Sequence, residues 1–254
     1  MNNVLDRTHL ELNSGVARLS WTSAKTKNAI GKAEAEDLAE RLDLLAADDS
    51  TSVIVLGIGQ VPFCSGWDIR DLGVLKGATS DEARHFFTYG RRLLESITDC
   101  PQPVIAAVSG WALGFGCSIL SRCDVVLAAD DAKFGVPEVR NGFAPATVVP
   151  ELLNTMSTRE VKAWALTGET VSAGRALSAG LVHEIWSPDK LGTAALQLAE
   201  TMAGYGAAPL RDTKRLVAEA AGLPEKGRRE LGVETAMAHF CAEETTNSNS
   251  ASAD

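Results

Sequence analysis

Three short, largely apolar runs constrain the fold of this chain more than any other feature. They cover Ser52–Leu56, Val104–Val108 and Asp124–Ala129, and each is too short for a typical helix. Runs of this kind predict strands that are buried on both faces of a sheet. Helical patterns near 80–99 and 116–122 separate them. The order strand, helix, strand, helix, strand therefore predicts crossover connections and an α/β core.

The remaining elements follow from the same periodicities. A strand is predicted near 15–21, and an amphipathic helix with an acidic outer face from Ala33 to Ala47. Beyond Thr147 the pattern is mostly helical, with one brief apolar strand at Leu181–Trp186. The helices predicted in this second half are 147–154, 158–167, 172–179, 189–203, 208–221 and 225–241.

These patterns predict three regions along the chain. An α/β core occupies residues 1–190, a helical C-terminal region 191–243, and a disordered tail 244–254. The tail is predicted because the sequence from Thr245 onward is rich in Ser, Asn and Thr and has almost no apolar residues. With 254 residues, 45% of them hydrophobic, the chain is long enough to bury a sizeable core.

Composition excludes several classes of function. No apolar run reaches the ~18 residues of a membrane-spanning helix, and the N-terminus lacks the basic start of a secretory signal. The net charge of −9 argues against nucleic-acid binding. Five cysteines without a C-x-x-C pair and four dispersed histidines predict neither a metal site nor disulfides. We therefore expect a cytoplasmic protein with neither membrane nor nucleic-acid partners.

Two glycine-bearing loops each follow a predicted buried strand: one at 57–69, and one in the run 104–118, after its strand Val104–Val108. A strand that turns through glycine into a helix exposes backbone N–H groups, which stabilise an anion. Two such loops can aim two N–H donors at one oxygen and form an oxyanion hole, or their glycines can simply make tight turns. A dinucleotide site is not supported, because Ile119 stands where the third glycine would be.

Several motifs resemble those of the enoyl-CoA hydratase/isomerase (crotonase) family. Pro103 to Cys117 reads PVIAAVSGWALGFGC, which is similar to the family's PVIAAVNGYALGGGC. Cys123 to Val139 resembles its CDIRIA…AKFGxPEV run. Shorter segments with family-like wording, in family order, are Lys27-Asn28-Ala29, Phe63–Asp68, Leu166–Glu169 and Ala173–Val182. The resemblance spans roughly residues 11–240.

The resemblance implies a spiral of repeated ββα units, with a helical C-terminal region that assembles the chain into a homotrimer, or into a hexamer as a dimer of trimers. It also implies an acyl-CoA thioester as substrate. No permanently bound cofactor is expected, and coenzyme A enters only as part of the substrate thioester.

Carried over by position, the resemblance assigns the catalytic groups. Glu138 is the acid/base, and the oxyanion hole is formed by the backbone N–H groups of Ser65 and of Phe115, which replaces the usual glycine. Ser118 stands where the hydratases have a second glutamate. A hydroxyl can hold water but is no base near neutral pH. One carboxylate favours double-bond isomerisation, for which an apolar site should raise the pKa of Glu138.

The resemblance also implies contacts to coenzyme A from Lys27, from the 64–69 loop and from Gly114. Arg18 or Lys25 would assist at the phosphates. The residues of the loop assigned to this contact are Cys64, Ser65, Gly66, Asp68 and Ile69.

Two alternatives remain open. One is an atypical enoyl-CoA hydratase, or a hydroxycinnamoyl-CoA hydratase-lyase, that uses Ser118 together with Glu138. The other is a non-catalytic subunit that binds CoA esters. His85 is a weaker candidate for a base, and Tyr89 for a polar group in the acyl pocket. The segment 139–146 departs from the wording of the family, so we expect an unusual acyl specificity.

Overall fold

The computed structural model describes residues 8–23, 25–75 and 77–248, with side chains described up to residue 240. Within these ranges the chain is a mixed α/β protein, as the sequence predicts. Its strands are β1 (Thr8–Asn13), β2 (Val16–Trp21), β3 (Val53–Leu56), β4 (Val104–Val108), β5 (Trp111–Leu113), β6 (Val125–Ala129), β7 (Lys133–Gly135), β8 (Thr170–Ser172) and β9 (Glu184–Trp186).

The helices are close to the predicted ranges over most of the chain, and a short 3-10 helix covers Pro137–Asn141. The predicted helix at 147–154 is reduced to the four residues of α5. The α-helices are α1 (Lys32–Ala46), α2 (Ile69–Gly73), α3 (Ser80–Asp99), α4 (Phe115–Arg122), α5 (Val149–Leu152), α6 (Thr158–Thr167), α7 (Ala173–Ala179), α8 (Pro188–Ala203), α9 (Ala207–Ala221) and α10 (Glu225–Ser248).

Two sheets organise the core. The larger has the strand order β1-β2-β3-β4-β6-β9, and every neighbouring pair in it is parallel except β1 with β2. The three predicted apolar runs form its centre, where all residues of β3 and β4 are buried. The smaller sheet has the order β5-β7-β8.

Each turn of the chain adds one strand to the large sheet and a shorter segment beside it. The turn made by β4, β5 and α4 shows the unit most clearly, and β6 with β7 repeats its two strands. In the two earlier turns the second strand is reduced to a bridge, from Ile30 to Trp67 and from Cys64 to Ala112. This arrangement confirms the predicted spiral of ββα units.

Strand β1 is absent from the sequence-based prediction, which began its first strand near residue 15. It is a mostly exposed edge strand, so it carries little apolar signal. Ser14 and Gly15 form the two-residue loop to β2, both with positive φ, of 48° and 80°. This loop is typical of a tight hairpin and was the one local sign of β1.

The C-terminal helices α9 and α10 are more exposed than the rest of the chain, and no residue of α9 is buried. Exposed apolar side chains include Val217, Val233, Met237 and Phe240. Among the helices described, none is long and apolar enough to cross a membrane.

The boundaries at 190 and 243 stay predictions. Helix α10 runs to Ser248, and residues 249–254 of the predicted tail lie outside the described residues. Residues 1–7 also lie outside the described residues, and the expectation that the chain has no secretory signal depends on them.

Candidate active site

The two glycine-bearing loops lie against each other as a short parallel pair. The Cys64 N–H donates to the Trp111 carbonyl at 2.8 Å, and the Leu113 N–H donates to the Cys64 carbonyl at 3.0 Å. A side chain would crowd this approach: a Cβ on Gly66 would lie 3.2 Å from the Leu113 oxygen, and one on Gly116 would lie 3.0 Å from the Cys64 Cβ. The close pairing therefore fixes the residues that follow in each loop.

Ser65 and Phe115 are the residues placed by this pairing. Phe115 begins α4, so its N–H has no partner within the helix. Among the described residues, no acceptor bonds to the backbone N–H of Ser65 or of Phe115. The Ser65 hydroxyl donates to the Thr26 carbonyl at 2.9 Å, so its side chain is already engaged. Both residues line one cavity, with their backbone donors free.

Glu138 reaches this junction from the 3-10 helix after β7. Its carboxylate lies directly against Gly114, where a Cβ would come within 2.3 Å of Oε1. The Oε2 atom is buried and has no hydrogen-bond partner among the described residues. Burial raises the pKa of Glu138 above its usual value because the charged form is desolvated, as the sequence predicts. The site thus holds a carboxylate that takes up a proton more readily than an exposed glutamate does.

The cavity has a volume of about 410 Å³ and opens to solvent. Its walls come from the first loop, from α3 and from the segment between Glu138 and α5, and they are mostly apolar. Ser65, Gly66, Ile69 and Glu138, all predicted site residues, line it. Apolar side chains in the lining include Trp67, Phe87, Leu94, Phe115, Phe143 and Val148.

Phe115 shapes this cavity without blocking its own N–H. Its ring packs edge-on against Trp67, with 4.8 Å between the ring centres. Both rings lie beneath Gly90 of α3, where a Cβ would come within 2.8 Å of Trp67 and 3.2 Å of Phe115. Gly90 therefore makes room for the phenyl ring that replaces the family's glycine. The sequence-based prediction missed Gly90.

Ser118 is fully buried on α4, and its N–H donates to the Gly114 carbonyl at 3.3 Å. Its hydroxyl is buried and has no hydrogen-bond partner among the described residues. Ser118 is not part of the cavity lining, whereas Glu138 is. The structure thus brings Glu138, Ser65 and Phe115 together in the lining of one cavity, and Ser118 is not part of that lining.

The residues assigned to coenzyme A divide into two groups. Cys64 and Asp68 are buried and engaged within the protein: the Cys64 backbone pairs the loops, and Asp68 caps α2 through the Arg70 N–H. Lys27 is exposed, with its Nζ 4.7 Å from the centre of the Trp111 ring. A contact of these residues with coenzyme A stays a prediction.

The other polar candidates lie apart from the cavity. Arg18 pairs with Glu11 across the β1–β2 ladder at 2.9 Å, and Lys25 is exposed. The His85 Nε2 lies 3.5 Å from the Tyr89 hydroxyl, and neither residue is in the lining.

Sequence reasoning also missed a second carboxylate of the cavity. Glu151 of α5 lines it and forms an ion pair with Arg122 at the end of α4. The only local sign was its place just beyond the unusual segment 139–146, which gives no indication of which side chain faces inward.

Solved structures place this chain among crotonase-fold proteins. The crystal structure of an enoyl-CoA hydratase/isomerase family protein from Silicibacter pomeroyi matches with a TM-score of 0.85 and 28% sequence identity, over 92% of this chain and 98% of that one. The sequence profile of the enoyl-CoA hydratase/isomerase family matches residues 11–251, and the chain belongs to this family.

Curated relatives agree with this assignment. The chain is 32% identical to the 2,3-dehydroadipyl-CoA hydratase of Escherichia coli (strain K12), over 79% of this chain and 77% of the relative. It is 28% identical to the short-chain-enoyl-CoA hydratase of Clostridium acetobutylicum, over 85% of this chain and 81% of that protein.

Proposed function

We propose that this protein isomerises the double bond of an enoyl-CoA thioester, with Glu138 as the proton shuttle. The observation that carries the proposal is the position of the Glu138 carboxylate. It lies against Gly114, the residue before Phe115, in a cavity that Ser65 and Phe115 also line. The raised pKa of Glu138 suits a group that must both accept and donate a proton.

The reaction follows from this placement. The thioester oxygen accepts hydrogen bonds from the Ser65 and Phe115 N–H groups, which stabilise the enolate that forms when a C2 proton leaves. One such donor typically lowers the barrier by ~3–4 kcal/mol. Glu138 takes the C2 proton of a 3-enoyl thioester and returns it to C4, so the double bond moves to C2–C3. No water is consumed and no other base is needed.

The position of Ser118 supports isomerisation over two-carboxylate hydration. Water addition needs one group to orient water while another handles the α-proton. Ser118 occupies the family position for the first of these groups, but its hydroxyl is buried behind the cavity lining.

Hydration of an enoyl-CoA is the second candidate. It is supported by the relatives, whose names are those of hydratases. The Ser118 hydroxyl, which lacks a hydrogen-bond partner among the described residues, also supports it, since a small rearrangement of α4 would let it hold a water. A hydratase-lyase acting on a hydroxycinnamoyl thioester would use the same pair of side chains.

Three CoA esters separate these reactions: 3-hexenoyl-CoA, 2-hexenoyl-CoA and a hydroxycinnamoyl-CoA. We expect conversion of the first without incorporation of oxygen from labelled water, and no hydration of the others. Glu138→Gln should abolish turnover and leave binding of the ester intact, whereas Ser118→Ala should keep activity. Hydration that is lost in Ser118→Ala would instead establish the second candidate. Binding without turnover of any ester would establish a CoA-ester-binding subunit.

Two further features of the function are proposed on the same footing. Val217, Val233, Met237 and Phe240, exposed on α9 and α10, are the surface we propose for trimeric or hexameric assembly. Lys27, held over Trp111, is the side chain we propose for the coenzyme A phosphates. Light scattering of the wild type and of Phe240→Glu tests the first, and the affinity of Lys27→Met for CoA tests the second.

A further inference from the structure

The cavity contains an ion pair that the proposed proton transfer does not use. Glu151 lines the cavity, and its Oε2 accepts a hydrogen bond from the Nε of Arg122. The two side chains are 16% and 30% exposed. Arg91 also lines the cavity, but its partner Glu95 does not; this pair is 70% and 55% exposed and its closest N–O distance is 3.7 Å. Water screens that outer pair, whereas the inner one acts on whatever fills the cavity.

Helix α4 separates this ion pair from the reacting end of the cavity. Phe115 begins the helix beside Glu138, and Arg122 ends it beside Glu151. At 1.5 Å per residue the two ends lie roughly 10 Å apart. Glu151 therefore pairs with the end of α4 that is opposite Phe115, on the side of the cavity where we place the far end of the acyl chain.

One oxygen of Glu151 remains available to a ligand. Oε2 is taken by Arg122, but Oε1 has no donor among the described residues and is not fully buried. The neighbouring lining is mostly apolar, with Phe143 and Val148 close in sequence, and its polar members there are Asn141 and Thr147. A methyl group in this place would cover an acceptor without satisfying it, which is costly, whereas a hydroxyl would donate to it.

We propose that Glu151 selects acyl groups that carry a hydroxyl at the end far from the thioester. A second carboxylate at that end is disfavoured, because it would face Glu151 across an apolar space. The proposal rests on the proposed function only in that the cavity receives the acyl group. It defines the substrate as a hydroxylated enoyl thioester whose hydroxyl lies several carbons beyond the double bond.

Three CoA esters of matched length test this selection: 6-hydroxyhexenoyl-CoA, heptenoyl-CoA, which has a methyl in place of the hydroxyl, and the hexenedioyl mono-CoA ester. We expect the wild type to prefer the hydroxyl ester over the methyl ester by about tenfold to a hundredfold in kcat/KM, with the carboxylate ester lowest. Glu151→Gln should reduce that preference and raise the use of the carboxylate ester by about tenfold. Glu95→Gln removes the same charge from the exposed partner of Arg91, outside the cavity lining, and should leave the three ratios unchanged.

The outcomes separate selection from a structural role and from the reaction itself. An equal loss on all three esters in Glu151→Gln would mean that the ion pair only holds α5, and would overturn the proposal. The proposal would also be overturned if the wild-type protein bound the three esters equally in a competition assay, a measurement that needs no variant. If the hydroxyl ester binds most tightly but no ester is turned over, the selection stands and the proposed isomerisation fails.

Discussion

Replacing Gly114 by alanine tests whether the position of the Glu138 carboxylate governs turnover. The new Cβ would lie 2.3 Å from Oε1, well inside the 3.4 Å at which ordinary contact begins. The carboxylate must therefore retreat by about 1 Å, and a displacement of that size at a catalytic group typically costs about a hundredfold in rate. A hundredfold loss corresponds to about 2.7 kcal/mol in the activation barrier.

The backbone adds a separate effect, because Gly114 has a φ of 49°. With a ψ of −114° this conformation lies outside the left-handed helical region, and a side chain there costs on the order of 1–3 kcal/mol of stability. For a chain of this size that lowers Tm by about 2–4 °C per kcal/mol. We therefore expect Gly114→Ala to show both a modest fall in Tm and a fall in kcat of about a hundredfold. Binding of the CoA ester should be nearly unchanged.

Gly59→Ala is the matched control for this experiment. Gly59 also has a positive φ, of 76°, but a Cβ there would meet no atom within 4 Å. It should show the fall in Tm without the loss of kcat. If Gly114→Ala turned over substrate at the wild-type rate, or if Gly59→Ala lost as much activity, the carboxylate at Gly114 would not be the reacting group.

Three further predictions concern stability, each read from thermal unfolding. Burial raises the folded-state pKa of Glu138, so its charged form costs stability at neutral pH. Glu138→Gln should therefore raise Tm at neutral pH. The gain should vanish below the ordinary glutamate pKa, because the wild-type carboxyl is protonated there in both the folded and the unfolded state. Gly90→Ala should destabilise the protein by about 1–2 kcal/mol through overpacking, whereas Gly232→Ala, at an open position on α10, should stabilise it by up to about 1 kcal/mol. Lys214→Met should cost about 1.5–3 kcal/mol, because the amine pairs with Asp124 at 2.8 Å and is largely buried; a change below 0.5 kcal/mol would contradict this.

Features with a local cause could be predicted from the sequence. The apolar runs at 53–56 and 104–108 are strands because they are buried on both faces, and burial of that kind leaves a continuous apolar pattern. The paired loops were predictable as N–H donors for a similar reason. Backbone N–H groups depend on glycine turns and a helix start, and both are visible in the sequence.

Features that depend on packing between distant segments could not be predicted. Gly90 is one glycine in a long helix, and its importance arises only because Trp67 and Phe115 meet beneath it. Glu151 is one of many glutamates, and only the placement of α5 against Arg122 turns it towards the cavity. Ser118 was assigned by position, but the packing of α4 keeps its hydroxyl out of the lining.

The exchange of glycine for Phe115 shows why the chemistry of this site and its specificity vary separately. The proposed oxyanion donor is the backbone N–H of Phe115, so a phenyl ring leaves it in place as long as the ring can pack elsewhere. It packs against Trp67, and α3 accommodates both rings at Gly90. The reacting end of the cavity is thus preserved while its walls change. The same reasoning applies to Glu151, which pairs with Arg122 at the opposite end of α4 from Phe115, so we expect that it can change without disturbing proton transfer. Substitutions at the far end of the cavity should therefore alter which acyl groups are accepted. Substitutions at Gly114 or Glu138 should instead determine whether any acyl group is converted.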